Sequence, residues 1–123
     1  MNHLMTWCEI PVTDMPRAKD FYSQIFGVNF VDETMEGYHM AMFDTKPEEV
    51  SGALVKGANY IPNREATVVY LNGGEDLSVA LQKAQKYGVE VIIPKTPIKD
   101  GENGYFAQMS DSEGNRIGLY SQS

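Results

Sequence analysis

Trp7 and Glu9 stand two residues apart in the run Thr6-Trp7-Cys8-Glu9-Ile10-Pro11. Alternation along a strand puts both on one side together with Pro11. Arg116, Gly118 and Tyr120 share a side in the same way near the other end of the chain, as do Thr67, Val69 and Leu71 between them. An indole, a phenol, a carboxylate and a guanidinium on an otherwise apolar surface are the components of a small-molecule pocket. They also hold a minimal reaction set, with Glu9, desolvated beside Trp7, as general base and Arg116 as stabiliser of an oxyanion. Each has a plainer reading too. Glu9 and Arg116 are equally suited to a structural ion pair, and Trp7 to filling space.

The remaining reactive side chains are few. His3 and His39 are the only histidines and Cys8 the only cysteine, so an intrachain disulfide and a Cys-rich metal site are both excluded. Cys8 alternates with Trp7 and Glu9 and so faces a helix with Ile10 and Val12, which suits an inert core thiol. Lys95 and Lys99 lie on a segment after the sixth strand, either reaching over a pocket or standing in solvent. Met40, Met42 and Met109 offer adaptable walls or ordinary core filling.

Two helices must position these groups. Asp14 is an N-cap, Pro16 sits in the first turn, and Ala18, Phe21, Tyr22, Ile25 and Phe26 make one apolar stripe that Gly27 ends. Glu75 and Asp76 open the second, Leu77, Ala80, Leu81 and Ala84 line its stripe, Lys83 and Lys86 suit its C-terminal end, and Gly88 closes it. Strands are expected at 6–10, 28–32, 38–43 and 52–56, and again at 67–71, 89–93, 105–109 and 116–120. The order β-α-β-β-β thus occurs twice at a period of about sixty residues. The expected fold is α+β, one domain over 1–123 in two βαβββ modules, about 1–60 and 61–123. Together they build a curved, mostly antiparallel sheet with helices on its outer side and a concave face left open.

A net charge of −7 disfavours nucleic acid and anionic membrane as partners, is compatible with a cationic ligand, and keeps an acidic protein soluble. Nowhere do eighteen apolar residues follow one another, and the first residues lack a signal-peptide pattern, so the expected location is cytoplasmic.

Glu9-Ile10-Pro11-Val12-Thr13-Asp14-Met15-Pro16-Arg17-Ala18-Lys19-Asp20-Phe21-Tyr22, with Phe26-Gly27, resembles the opening of the vicinal-oxygen-chelate superfamily. That group holds glyoxalase I, extradiol dioxygenases, fosfomycin-resistance enzymes and bleomycin-binding proteins. Tyr105-Phe106-Ala107 and the run Asp111-Ser112-Glu113-Gly114-Asn115-Arg116-Ile117-Gly118-Leu119 resemble its final hairpin, and Pro94-Lys95-Thr96-Pro97 resembles a glyoxalase-like subgroup. The resemblance implies one divalent metal on the concave face, held by His and Glu from the first, fourth, fifth and eighth strands. Here those positions fall on Trp7, on Ala53 or Leu54, on Thr67 and on Gly118, none an effective ligand. The expectation is therefore a metal-free, cofactor-free binder of a small organic molecule, through Trp7, Glu9, Thr67, Val69, Lys95, Lys99, Arg116 and Tyr120. A lyase or dioxygenase with a metal, or a metal-free lyase or isomerase using Glu9, is the alternative. A pure interaction module with a self-filled face is a third reading. By the same resemblance the chain forms a homodimer, and the sequence leaves open whether one chain or two supply the modules that share a cleft.

Overall fold

The computed structural model describes residues 3–123. Among them are eight strands and two α-helices. In chain order they are β1 (Trp7–Pro11), α1 (Met15–Phe26), β2 (Phe30–Met35), β3 (Tyr38–Phe43) and β4 (Ser51–Lys56), then β5 (Val69–Asn72), α2 (Leu77–Tyr87), β6 (Val91–Pro97), β7 (Tyr105–Ser110) and β8 (Arg116–Ser121), with a 3-10 turn at Lys99–Gly101.

Both helices begin as their sequences dictate. The Asp14 carboxylate accepts the Arg17 backbone N–H at 3.0 Å, and Asp76 accepts that of Ser78 at 2.8 Å. Gly27 and Gly88 end them in the left-handed conformation. The stripes of both helices are buried, and Phe21 and Tyr22 are fully inaccessible.

The strands form two four-stranded sheets, β1-β4-β3-β2 and β5-β8-β7-β6, rather than one continuous sheet. In each, the first pairing is parallel and the other two antiparallel. Each helix covers one face of its own sheet and also packs on the other helix. Phe21 and Tyr87 meet edge to face at 5.1 Å across that junction. One hydrophobic cluster runs from Ile10, Ala41 and Leu54 of the first sheet through both helices to Ala107, Met109, Ile117 and Leu119 of the second. Every sheet thus has a helix-covered face turned to a common core and an open face turned away from it.

The β7–β8 turn stitches the modules together. Glu113 accepts the backbone N–H groups of Thr13 and Asp14, both at 2.9 Å, and Arg17 grips it with Nε at 2.7 Å and Nη2 at 3.1 Å. A carboxylate at the start of α1 also opposes the positive end of its dipole. The Tyr22 hydroxyl donates to Asp111 at 2.7 Å inside the core. Burial, and then the Asp111 carboxylate, hold that phenol well above its ordinary pKa, so it stays a donor.

Three strands are displaced by two residues or more: β2 runs Phe30–Met35 rather than 28–32, and β5 and β6 also shift. β5 starts at Val69 rather than 67, because Asn63 accepts the Glu65 N–H at 2.8 Å and folds the preceding residues into a turn. β6 runs on through Pro94 to Pro97, where a loop was expected. It is an edge strand, so a proline facing away from the ladder forfeits no hydrogen bond there.

Candidate functional site

Register decides which side chains reach the open faces, since directly paired residues share a side. On the first sheet Glu9 pairs with Ala53, Ala53 with Met42 and Val55 with Met40. Trp7, Glu9, Met40 and Met42 therefore lie on the open face, with Trp7 and Glu9 on one side as alternation predicted. Cys8 and Ile10 lie on the covered face, and burial, then Glu9, raise the thiol above its ordinary pKa.

Glu9 organises this face. Its carboxylate accepts the indole N–H of Trp7 at 3.3 Å and the hydroxyl of Tyr60 at 2.5 Å. The bond to Glu9 raises the Tyr60 phenol above its usual value, which keeps it protonated as the donor. Tyr38 meets the Tyr60 ring edge-on at 5.6 Å. Gly57 seats the Tyr38 ring, since a β-carbon there would come within 2.2 Å of it. Trp7 keeps 43% of its surface exposed.

The open face of the second sheet is also aromatic. Tyr70 pairs with Gly118, Asn72 with Tyr120, and Tyr120 with Phe106. The Tyr70 ring lies flat on Gly118, where a β-carbon would approach its Cδ2 to 2.4 Å. Its hydroxyl accepts from the Gln108 side chain at 2.8 Å. Tyr70 is 46% exposed and Tyr120 38%. The Tyr120 hydroxyl donates to the Asn103 carbonyl at 2.9 Å. Arg116 is anchored by its Nε to the Arg64 carbonyl at 3.0 Å and leans on Gln108 at 3.5 Å.

The sequence-predicted residues are thus divided. Trp7 and Glu9 share one open face, and Arg116 and Tyr120 share the other, with the helices between. Glu9 and Arg116 form no ion pair with each other. Glu9 is exposed, so the desolvation that a base role rests on is missing. Val69 and Leu71 turn to the covered face while Tyr70 takes the open one, a one-residue slip that inverts the expected alternation. Thr67 is exposed and precedes β5. Lys95 lies within β6 and binds the Asp76 carboxylate at 2.9 Å, with its ammonium 4.6 Å from the Tyr105 ring centre. Lys99 is exposed on the 3-10 turn with φ of 50°. Met109 is core, not wall. The sequence reading missed Tyr38, Tyr60, Tyr70 and Gln108. The signal for Tyr70 was available in Gly118, a glycine in mid-strand that marks a close approach.

The positions that the resemblance assigns to metal ligands do not fit a cation. Trp7, Ala53 and Gly118 are on open faces without a donor suited to one, and Thr67 lies outside its strand. Among the described residues no three His, Cys, Asp or Glu side chains gather as a metal site.

A cavity of about 940 Å³ lies elsewhere, on the covered side between the modules. Cys8, Ile10, Ile25 and Phe26 form one wall, and Val69, Leu71, Val79 and Ala80 the other. Glu75, Asp76 and Lys83 also line it. Of the predicted ligand contacts only Val69 belongs to it.

Comparison with known proteins places this architecture. A family model described as Glyoxalase/Bleomycin resistance protein/Dioxygenase superfamily matches residues 1–119. No curated relative matches the chain significantly. Among solved structures, a glyoxalase/bleomycin resistance protein from Streptomyces sp. CB03234 is 27% identical with a TM-score of 0.72, covering 95% of this chain and 99% of that one. TnmS3, an antibiotic binding protein from the same organism, is 24% identical with a TM-score of 0.65, covering 100% and 98%. The trypanothione-dependent glyoxalase I of Leishmania major is 16% identical with a TM-score of 0.75, covering 98% and 88%.

Proposed function

The chain belongs to the glyoxalase/bleomycin resistance protein/dioxygenase superfamily, and from that premise we propose that it is a metal-free binder of small organic molecules. The observation that carries this reading is the pair of open faces. Each presents large aromatic side chains to solvent, held in place by hydrogen bonds rather than by burial. Exposed apolar surface with converging polar groups marks a binding surface.

Neither face encloses a ligand by itself, because in one chain they turn away from each other. The reading therefore includes a homodimer in which the first sheet of one copy faces the second sheet of its partner. That an antibiotic binding protein has the same fold agrees with a ligand of drug-like size.

Trp7 is the only tryptophan, so its fluorescence reports on the first face alone. Thermal-shift screening of a metabolite and drug panel, followed by Trp7 quenching with each hit, is the direct test. Stabilisation accompanied by quenching is expected, from a protein that sediments as a dimer. A panel that moves neither signal would overturn the reading, as would stoichiometric zinc, nickel, manganese or iron in purified protein.

The cavity between the modules favours a second reading, with the ligand inside the fold. A hit that shields Cys8 from alkylation yet leaves Trp7 unchanged would select that reading. A third, a metal-free lyase or isomerase, needs Glu9 as base. It requires Glu9→Gln to abolish turnover while ligand binding is kept.

A further inference from the structure

We infer that the first open face selects an organic cation, a quaternary or fully substituted ammonium carried on an apolar body; this names the ligand class of the proposed site and rests on that reading. Glu9 is a charged side chain on this face. Among the described residues it has no cationic partner, for none of the ion pairs in the fold includes it. Both of its hydrogen-bond donors, Trp7 and Tyr60, are neutral. The carboxylate is thus fixed in place with its negative charge uncompensated.

Around that charge stand π-systems. Trp7 and Tyr60 touch the carboxylate, and Tyr38 backs the Tyr60 ring at 5.6 Å. The face of an aromatic ring carries negative electrostatic potential and attracts a cation within about 6 Å of its centre. Donation from the indole N–H and the phenol O–H to a carboxylate raises the electron density of both rings, so the three groups act in the same sense. Met40 and Met42, on the same side by register, add polarisable thioethers that contact alkyl substituents on nitrogen.

The strand residues of this face supply no opposing charge. On the first sheet Lys56 pairs with His39 on the covered side, and Lys19 and His39 both bind Asp32, which pairs with Ala41 on that same side. A second carboxylate, Glu33, pairs with Met40 and so joins the open face. An anion brought to Glu9 would meet a carboxylate and, among the strand residues of this face, no positive group. A metal ion would find the Glu9 oxygens already engaged and, among the described residues, no cluster of three ligating side chains to hold it. A hydrated inorganic cation would leave the aromatic and thioether surface unused, whereas an alkylated ammonium uses carboxylate, rings and sulfurs together.

The test compares three probes of common ring size at matched ionic strength: benzyltrimethylammonium, benzyl alcohol and benzoate. Trp7 fluorescence is read for wild type and Glu9→Gln, with circular dichroism confirming that the variant folds. The cation is expected to bind wild type at least about tenfold more tightly than the alcohol, with benzoate weakest. In Glu9→Gln the preference for the cation over the alcohol should fall to about twofold while the alcohol still binds. Wild type binding alcohol or benzoate as tightly as the cation would overturn the inference and leave the binding site standing. A variant that keeps the full preference would overturn it equally. Failure of all three probes to move Trp7 would count against both the cation preference and the site itself.

Discussion

Glu113 holds a carboxylate where two modules meet, and its protonation state is a stability term. Burial by itself would raise its pKa, but Arg17 and the backbone N–H groups of Asp14 and Thr13 outweigh that and bring it to about 2. A carboxyl whose folded pKa is depressed stabilises the fold above its unfolded value, and that contribution is lost as pH falls through the folded one. The contribution is complete at neutral pH, begins to decline near pH 4.5 and is gone near pH 2. Glu113→Gln should therefore cost about 2 kcal/mol at neutral pH, because charged hydrogen bonds are replaced by weaker neutral ones. The same variant should lose stability less steeply between those limits, which urea unfolding at a series of pH values would measure. Asp76, brought to about 2 by Lys95 and the Ser78 N–H, adds to the same acid sensitivity from the other helix.

The strands show which information a sequence carries locally. Trp7, Glu9 and their alternation with Cys8 and Ile10 were legible because β1 mixes polar and apolar residues. Val68-Val69-Tyr70-Leu71 has no such contrast, so its phase could not be read, and a single step exchanged Tyr70 for Val69 on the open face. The Tyr60–Glu9 bond joins residues 51 apart, and no local pattern announces it. Two glycines on adjacent themes make the elements testable. At Gly118 the three atoms nearest a β-carbon all belong to the half-exposed Tyr70 ring, which can swing outward at the cost of its Gln108 hydrogen bond. A β-carbon at Gly52 would sit 2.1 Å from the Cys8 carbonyl oxygen, inside the β1–β4 ladder. Gly118→Ala should cost about 1 kcal/mol and weaken ligand binding by displacing Tyr70, whereas Gly52→Ala should cost about 3 kcal/mol. Chemical denaturation with a parallel binding measurement separates the two outcomes.

At the scale of the molecule, the duplication was visible in the sequence and the way its halves pack was not. The repeat gave two modules of one topology. Whether their helices or their open sheets would meet depended on the apolar stripes of both helices, which each module could have buried alone. They are buried against their own sheets and, at the junction, against each other. In the proposed dimer each cleft draws on both copies, so complementation is expected. Trp7→Ala disables the first face and Tyr70→Ala the second, and each variant alone should lose binding. Random exchange of the two should restore about a quarter of the wild-type ligand capacity by equilibrium dialysis, since half of the dimers are mixed and each mixed dimer holds one unaltered cleft. Continued absence of binding in the mixture would place both halves of a cleft in one chain.

The segment between β4 and β5 decides how the two halves can be arranged. Tyr60 fastens it to Glu9, Asn63 to Asn115 and Arg64 to both Glu90 and Arg116. A connector secured at so many points is a splint rather than a hinge. It keeps the halves back to back, and in the proposed dimer enclosing a guest then becomes a collective property that falls away on dilution. Slackening that splint is the shortest route by which such a chain could close upon itself and work as a solitary molecule.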